Sequence, residues 1–308
     1  MSRFPLCCTF ILLMACSLIV PSLRAQCSDC VGLGGEFNVP IIRVEKGATA
    51  PDRRARAQAG DVTAVAIPEG TDEIGAADSL QGRSWLGQPG STINTPTAFG
   101  PGWGQVYVGM SYQDRIRYSD WHDGIVAVGA GFGNPRRTVG LAAAVTVLDT
   151  YTDFGQDRSL SLKLHRRLPW RSAVAVGYEN LWHTDGTDGG DSRYGVVSTV
   201  MPLRDDLTAP FGSVVLSGGL GDDRFLAEER FARGERGTSA FGSVGLRLLR
   251  STNGIVNWSG QDLNLGLSIV PLRAFPVVVT PAVLDVTGRA GDGARFAVSA
   301  SIGYNARR

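Results

Sequence analysis

From residue 104 to residue 304 apolar side chains recur at every second position, and this two-residue period constrains the fold of the 308-residue chain more than any other feature. Successive side chains of a strand point to opposite faces, so a wall with one apolar face and one small or polar face is written as such an alternation. The clearest case is Phe296, Val298, Ala300, Ile302 and Tyr304, interleaved with Ala297, Ser299, Ser301 and Gly303. Leu263, Leu265, Leu267 and Ile269 repeat the pattern against Asn264, Gly266 and Ser268, and Leu160, Leu162 and Leu164 repeat it against Ser161, Lys163 and His165. Further runs start at Val106, Val126, Val139, Val174, Val214 and Val244. With weaker ones over 194–201, 255–259 and 277–286 they make twelve strands.

The connections between these runs alternate in length. Residues 113–123 are long, 133–137 tight, 149–158 longer, 167–171 tight, 182–192 long, 202–210 intermediate, 221–239 longest and 251–254 tight. Such a rhythm predicts antiparallel neighbours, an even strand number and both ends of the strand series on one side. Glycine fits frequent turns, at 40 of 308 residues against a usual share of roughly 7%. The expected fold is all-β, an antiparallel transmembrane barrel of about twelve strands over 104–308. A soluble β-sandwich shares the alternation and is the alternative.

The first 103 residues follow other rules. Arg3, an apolar run over 4–20 and Leu23-Arg24-Ala25 read as an export signal over 1–25, and Leu13-Met14-Ala15-Cys16 is a rival lipidation box within it. No later stretch reaches the roughly 18 apolar residues of a membrane helix. Cleavage after Ala25 leaves Cys27 and Cys30 as a disulfide candidate in an oxidising compartment. Two cysteines are too few for a four-cysteine zinc site, and the Gly/Ser surroundings offer no helix to activate a redox thiol. Residues 26–103 mix Gly, Ala, Pro, Thr and charge with little alternation, so a flexible segment or linker is expected there. A plug lodged in the barrel is the alternative.

Charge excludes one class of partner. With Arg3 and Arg24 removed, 28 basic side chains face 29 acidic ones, a net of −1, so no basic field for nucleic acid exists. Candidate chemistry is sparse. On the inward face Lys163, His165, Glu179 and Arg247 form a polar lumen set, read either as opposed charges that filter ions or as partners that fill the interior by pairing. The only histidines are His122, His165 and His183. Ser161 stands about 13 Å from His165 at roughly 3.3 Å per residue, which rules out a dyad from that strand alone. Among loop residues, Arg115, Arg117, Tyr118 and Trp121 mix charge with aromatics as binding loops and interfacial girdles both do. Asp185, Asp188 and Asp191 cluster carboxylates amid glycines but lack the later bidentate Glu of a calcium loop, so a solvated acidic loop is expected and no metal. The glycines of Gly129-Ala130-Gly131-Phe132-Gly133 lie in an alternating strand with no helix after it, so they do not cradle phosphate.

A signal, alternating strands and a last strand ending at an aromatic residue, here Tyr304 followed by Asn305-Ala306-Arg307-Arg308, resemble the outer-membrane β-barrel proteins of Gram-negative bacteria. The resemblance covers about two thirds of the chain and is one of class, not of a particular family. It implies an outer-membrane location, contact with outer-membrane lipid and with the barrel-insertion machinery, no cofactor and a monomer, because closure leaves no open edge. The expected function is non-enzymatic, a porin-like narrow pore for ions or small solutes. The alternative is a surface-binding or envelope-structural barrel with a filled lumen, and a membrane-surface hydrolase comes third.

Overall fold

The computed structural model describes residues 85–86, 88–118, 120, 122–147, 158–184, 191–272 and 277–306. The expected signal, Cys16, Cys27, Cys30, Trp121, Asp185 and Asp188 lie outside the described residues. Every described residue belongs to one compact unit, 49–308.

Twelve antiparallel strands close into a barrel. They are β2 (Gln105–Gln113), β3 (Asp123–Gly133), β4 (Gly140–Val147), β5 (Arg158–Leu168), β6 (Ser172–His183), β7 (Ser192–Pro202), β8 (Ser213–Gly221), β9 (Ser239–Leu249), β10 (Thr252–Trp258), β11 (Leu263–Ile269), β12 (Val278–Leu284) and β13 (Arg295–Asn305). Each pairs with its neighbours in chain order, and β13 closes on β2 from Ala297 opposite Gln113 to Asn305 opposite Gln105. A two-residue strand, β1 (Trp85–Leu86), lies against Tyr304 and Gly303 at the end of β13. That end, where β2 begins and β13 finishes, is called the near end below, and the other the far end. Helix is confined to a 3₁₀ turn, Asp223–Phe225, and one short α-helix, α1 (Glu228–Ala232), among the described residues.

The alternation translates directly into two faces. In β13, Ala297, Ser299, Ser301 and Gly303 are buried, while Phe296 is exposed and Val298, Ala300, Ile302 and Tyr304 are half-buried. Closed pairing of one continuous sheet excludes the β-sandwich alternative, in which the apolar face would lie between two sheets. Instead the apolar side chains form an exposed outer belt that includes Met110, Val128, Leu164, Val176, Val244 and Leu265. Exposed aromatics border it on both sides: Trp103, Phe132 and Trp170 at the near end, Trp182, Trp258 and Phe296 at the far end. The eight-residue step from Phe296 to Tyr304 spans about 26 Å along the strand, roughly 20 Å in height at the usual barrel tilt.

One turn differs from the expectation. The tight connection assigned to 251–254 is only Arg250 and Ser251, because Thr252, Asn253 and Gly254 belong to β10. Asn253 looked like a turn residue; its side chain instead points inward and bonds buried carbonyls, as described next.

Candidate functional site

A closed ring of short inner side chains leaves a central space, and the chain fills it with its own residues 89–101. The flexible segment expected over 26–103 does not extend over 89–101, which occupy the lumen as the plug alternative had it. Ser91, Asn94 and Ala98 are 0–1% exposed, and Ile93, Thr95 and Phe99 are also buried. Buried backbone must find partners, and the inner faces supply them. The Asn253 side-chain amide donates to the carbonyls of Pro89 (3.0 Å) and Gly90 (2.9 Å), and Gly90 N–H donates to Ser268 Oγ (2.7 Å). Further toward the far end, Asn257 Nδ2 donates to Thr95 Oγ1 (2.6 Å) and Asn264 Nδ2 to Asn94 Oδ1 (3.1 Å).

The segment then turns back along the opposite wall. Ala98 N–H donates to Ser198 Oγ on β7 (2.9 Å), and Lys163 Nζ on β5 donates to the carbonyls of Phe99 (2.6 Å) and Thr97 (3.3 Å). Gly100 lies against the His165 ring. Trp103 N–H donates to the Gly133 carbonyl at the near end (2.9 Å), where β2 begins. A chain bonded to inner residues of β5, β7, β10 and β11 in a closed twelve-strand ring lies within that ring.

Two apolar contacts hold the segment from opposite sides. Ile93 packs with Ile255, Ala282, Leu284 and Ala297. Phe99 and Ala98 pack with a larger group that includes Ala173, Ala175, Tyr194, Val196, Phe225 and Phe241. In that group Phe225 stacks on Phe241, ring centroids 4.4 Å apart, and Tyr194 meets both edge-on.

The four expected lumen residues do not form one ring of opposed charges. Lys163, 4% exposed, gives its ammonium to segment carbonyls. Glu179 pairs with Arg224 of the β8–β9 loop, which also donates to the Asn94 carbonyl (2.9 Å). Arg247, buried on β9, donates to the Arg250 carbonyl (3.2 Å). His165 is sandwiched between Gly100 and Gly140, where a Cβ would stand 2.8 Å and 2.6 Å from the ring. Neither ring nitrogen has a side-chain hydrogen-bond partner among the described residues.

At the far end several loop residues are buried against one another. Arg117, expected in an external binding loop, is 1% exposed: it pairs with Asp262 (2.5 Å) and Glu228 (2.9 Å) and also bonds Gln261. Asp262 receives Arg295 as well (2.7 Å). Phe225 and Leu226, in the longest loop, are fully buried. Of the other loop candidates, Arg115 holds Asp292 (2.5 Å) and the Gly293 and Ala294 carbonyls, and Tyr118 is exposed. The Tyr178 hydroxyl donates to Asp191 and holds its carboxyl below the ordinary aspartate range. Among the described residues no group of His, Cys, Asp and Glu is arranged to hold a metal ion.

Sequence reasoning missed Asn94, Asn253, Asn257, Asn264, Arg224 and Asp262. One signal for them exists: asparagine is depleted in strands, so three asparagines on the inner faces of adjacent β10 and β11 call for buried partners. No known protein family model matches the chain, and no curated protein is similar to it at a significant level.

Proposed function

We propose that this chain is an integral outer-membrane β-barrel that is closed to solutes by its own segment, a non-enzymatic envelope-structural or surface-displaying protein in place of an open pore. The observation that carries the reading is the burial of residues 89–101 inside the ring, bonded to strands on opposite walls. Membrane insertion is supported by the exposed apolar belt and its two aromatic borders, since a soluble fold seldom leaves so large an apolar surface in water.

In this reading the near end faces the periplasm, because the short turns and both ends of the strand series lie there. Trp85 and Gly104 then lie toward the periplasmic side, and the far-end loops face outward. Lipid of the outer membrane and the barrel-insertion machinery are its expected partners, and closure favours a monomer.

Planar-bilayer recording tests closure. The full chain is expected to be silent, and a variant lacking residues 26–100 to produce steps. Stable steps from the full chain would overturn the stoppered reading. The membrane reading is tested separately: folded protein should require detergent and migrate differently on gels before and after heating, and a mature chain that stays soluble in plain buffer removes it.

A further inference from the structure

The longest far-end loop reaches the segment that fills the bore. It joins β8 to β9, and its two parts differ in character. Phe225 and Leu226 are fully buried, whereas Arg233-Gly234-Glu235-Arg236-Gly237-Thr238 are exposed throughout. Two glycines let the buried part sit deep. A Cβ on Gly221 would collide with the Phe225 ring, and one on Gly260, which already has φ 100, would collide with the Phe225 carbonyl. Neither position accepts a side chain without displacing the loop.

The buried part grips the segment directly. Arg224 Nη1 donates to the Asn94 carbonyl (2.9 Å), while the same guanidinium pairs with Glu179 of β6 and lies 4.2 Å from the centre of the Phe225 ring. Phe225 stacks on Phe241 of β9 and shares one buried apolar cluster with Ala98 and Phe99 of the segment. The stretch 94–99, where the segment reverses, is therefore held by the loop as well as by the walls. The stretch before it is held by the walls, with Pro89 and Gly90 bonded to Asn253 and Ser268.

We infer that the β8–β9 loop is the latch of the luminal segment: its contacts through Arg224 and Phe225 set how readily residues 94–99 leave the bore, and the segment in turn holds the loop down. This rests on the stoppered reading above. The coupling is reciprocal because one set of contacts serves both parts. A ligand that draws the loop outward by its exposed run 233–238 loosens the segment, whose two ends lie at the opposite opening. Occupancy at one face of the barrel is thereby transmitted to the other.

Amide hydrogen exchange of the full chain refolded in detergent micelles, read residue by residue by NMR, tests the latch in both directions. F225A should speed exchange at Ala98 by at least about tenfold while Gly90 keeps its wild-type rate. F99A should speed exchange at Phe225 and Leu226 by a similar factor, and F225A/F99A should add less than the two single effects on a logarithmic scale. R233Q/R236Q, in the exposed run, should change neither. R224Q, which leaves the apolar packing in place, should speed Ala98 by at least about threefold and serves if F225A does not refold. A segment that exchanges at the wild-type rate in these loop variants, a loop indifferent to F99A, or an equal rise at Gly90 overturns the latch. Planar-bilayer recording of the same chains separates the two failures: steps from wild type strike the stoppered reading itself, whereas a silent wild type whose segment ignores the loop variants strikes only the latch.

Discussion

Lys163 joins wall and filling. Its charge is buried on β5, and its ammonium donates to carbonyl oxygens of the segment it faces, at Phe99 and Thr97. Replacing it with methionine keeps the stem and removes the donor, leaving buried carbonyls without it. The expected loss is about 1–3 kcal/mol of unfolding free energy, read from urea titration of the vesicle-folded barrel. At the far end the Tyr178 hydroxyl holds Asp191 ionised below its ordinary range. A carboxyl whose pKa is depressed by folding stabilises above its unfolded pKa and loses that contribution as pH falls through the folded value. Tyr178→Phe should therefore raise the Asp191 pKa toward the ordinary range, so that its carboxyl takes up a proton at a less acidic pH. NMR titration of that carboxyl checks it, and an unmoved pKa assigns the shift elsewhere.

At the scale of elements, the strands were legible because lipid-facing and inward residues differ in type. Val106, Val108, Met110 and Tyr112 of β2 mark one face without any knowledge of the partner strand. The luminal segment was legible only as the second reading, a plug, and the reason is physical. It is held largely through backbone groups of residues such as Pro89, Gly90, Ala98 and Phe99, which leave no periodic trace. Its side-chain anchors, Ile93 and Phe99, are isolated apolar residues whose meaning depends on which walls they meet. Arg117 was misread for a related reason: its partners Glu228 and Asp262 lie more than a hundred positions away. If the segment is clamped by its two apolar contacts, Phe99→Ala should cost about 3–5 kcal/mol. It should also expose residues 88–103 to a nonspecific protease well before the strands are cut, as limited digestion followed by mass spectrometry would reveal. Simultaneous loss of segment and strands would mean that wall and filling unfold as one unit.

For the molecule as a whole, the path of the segment matters as much as its contacts. It arrives beside Tyr304, climbs past Asn253 and Asn264, reverses, and leaves beside Gly133, so both of its ends lie at the same opening. A bight of rope can be pushed into a sleeve and drawn out again without any free tip passing through, and no knot or seam stands in its way. The sealing of β2 to β13 thus sets no deadline for loading the interior. A shell begun at Gly104 should conduct, and a synthetic peptide covering 88–103, added afterwards from the side of the termini, should silence it. Assembly of the cylinder and occupation of its bore are separable events, and tension on the amino-terminal chain acts along the very direction of withdrawal.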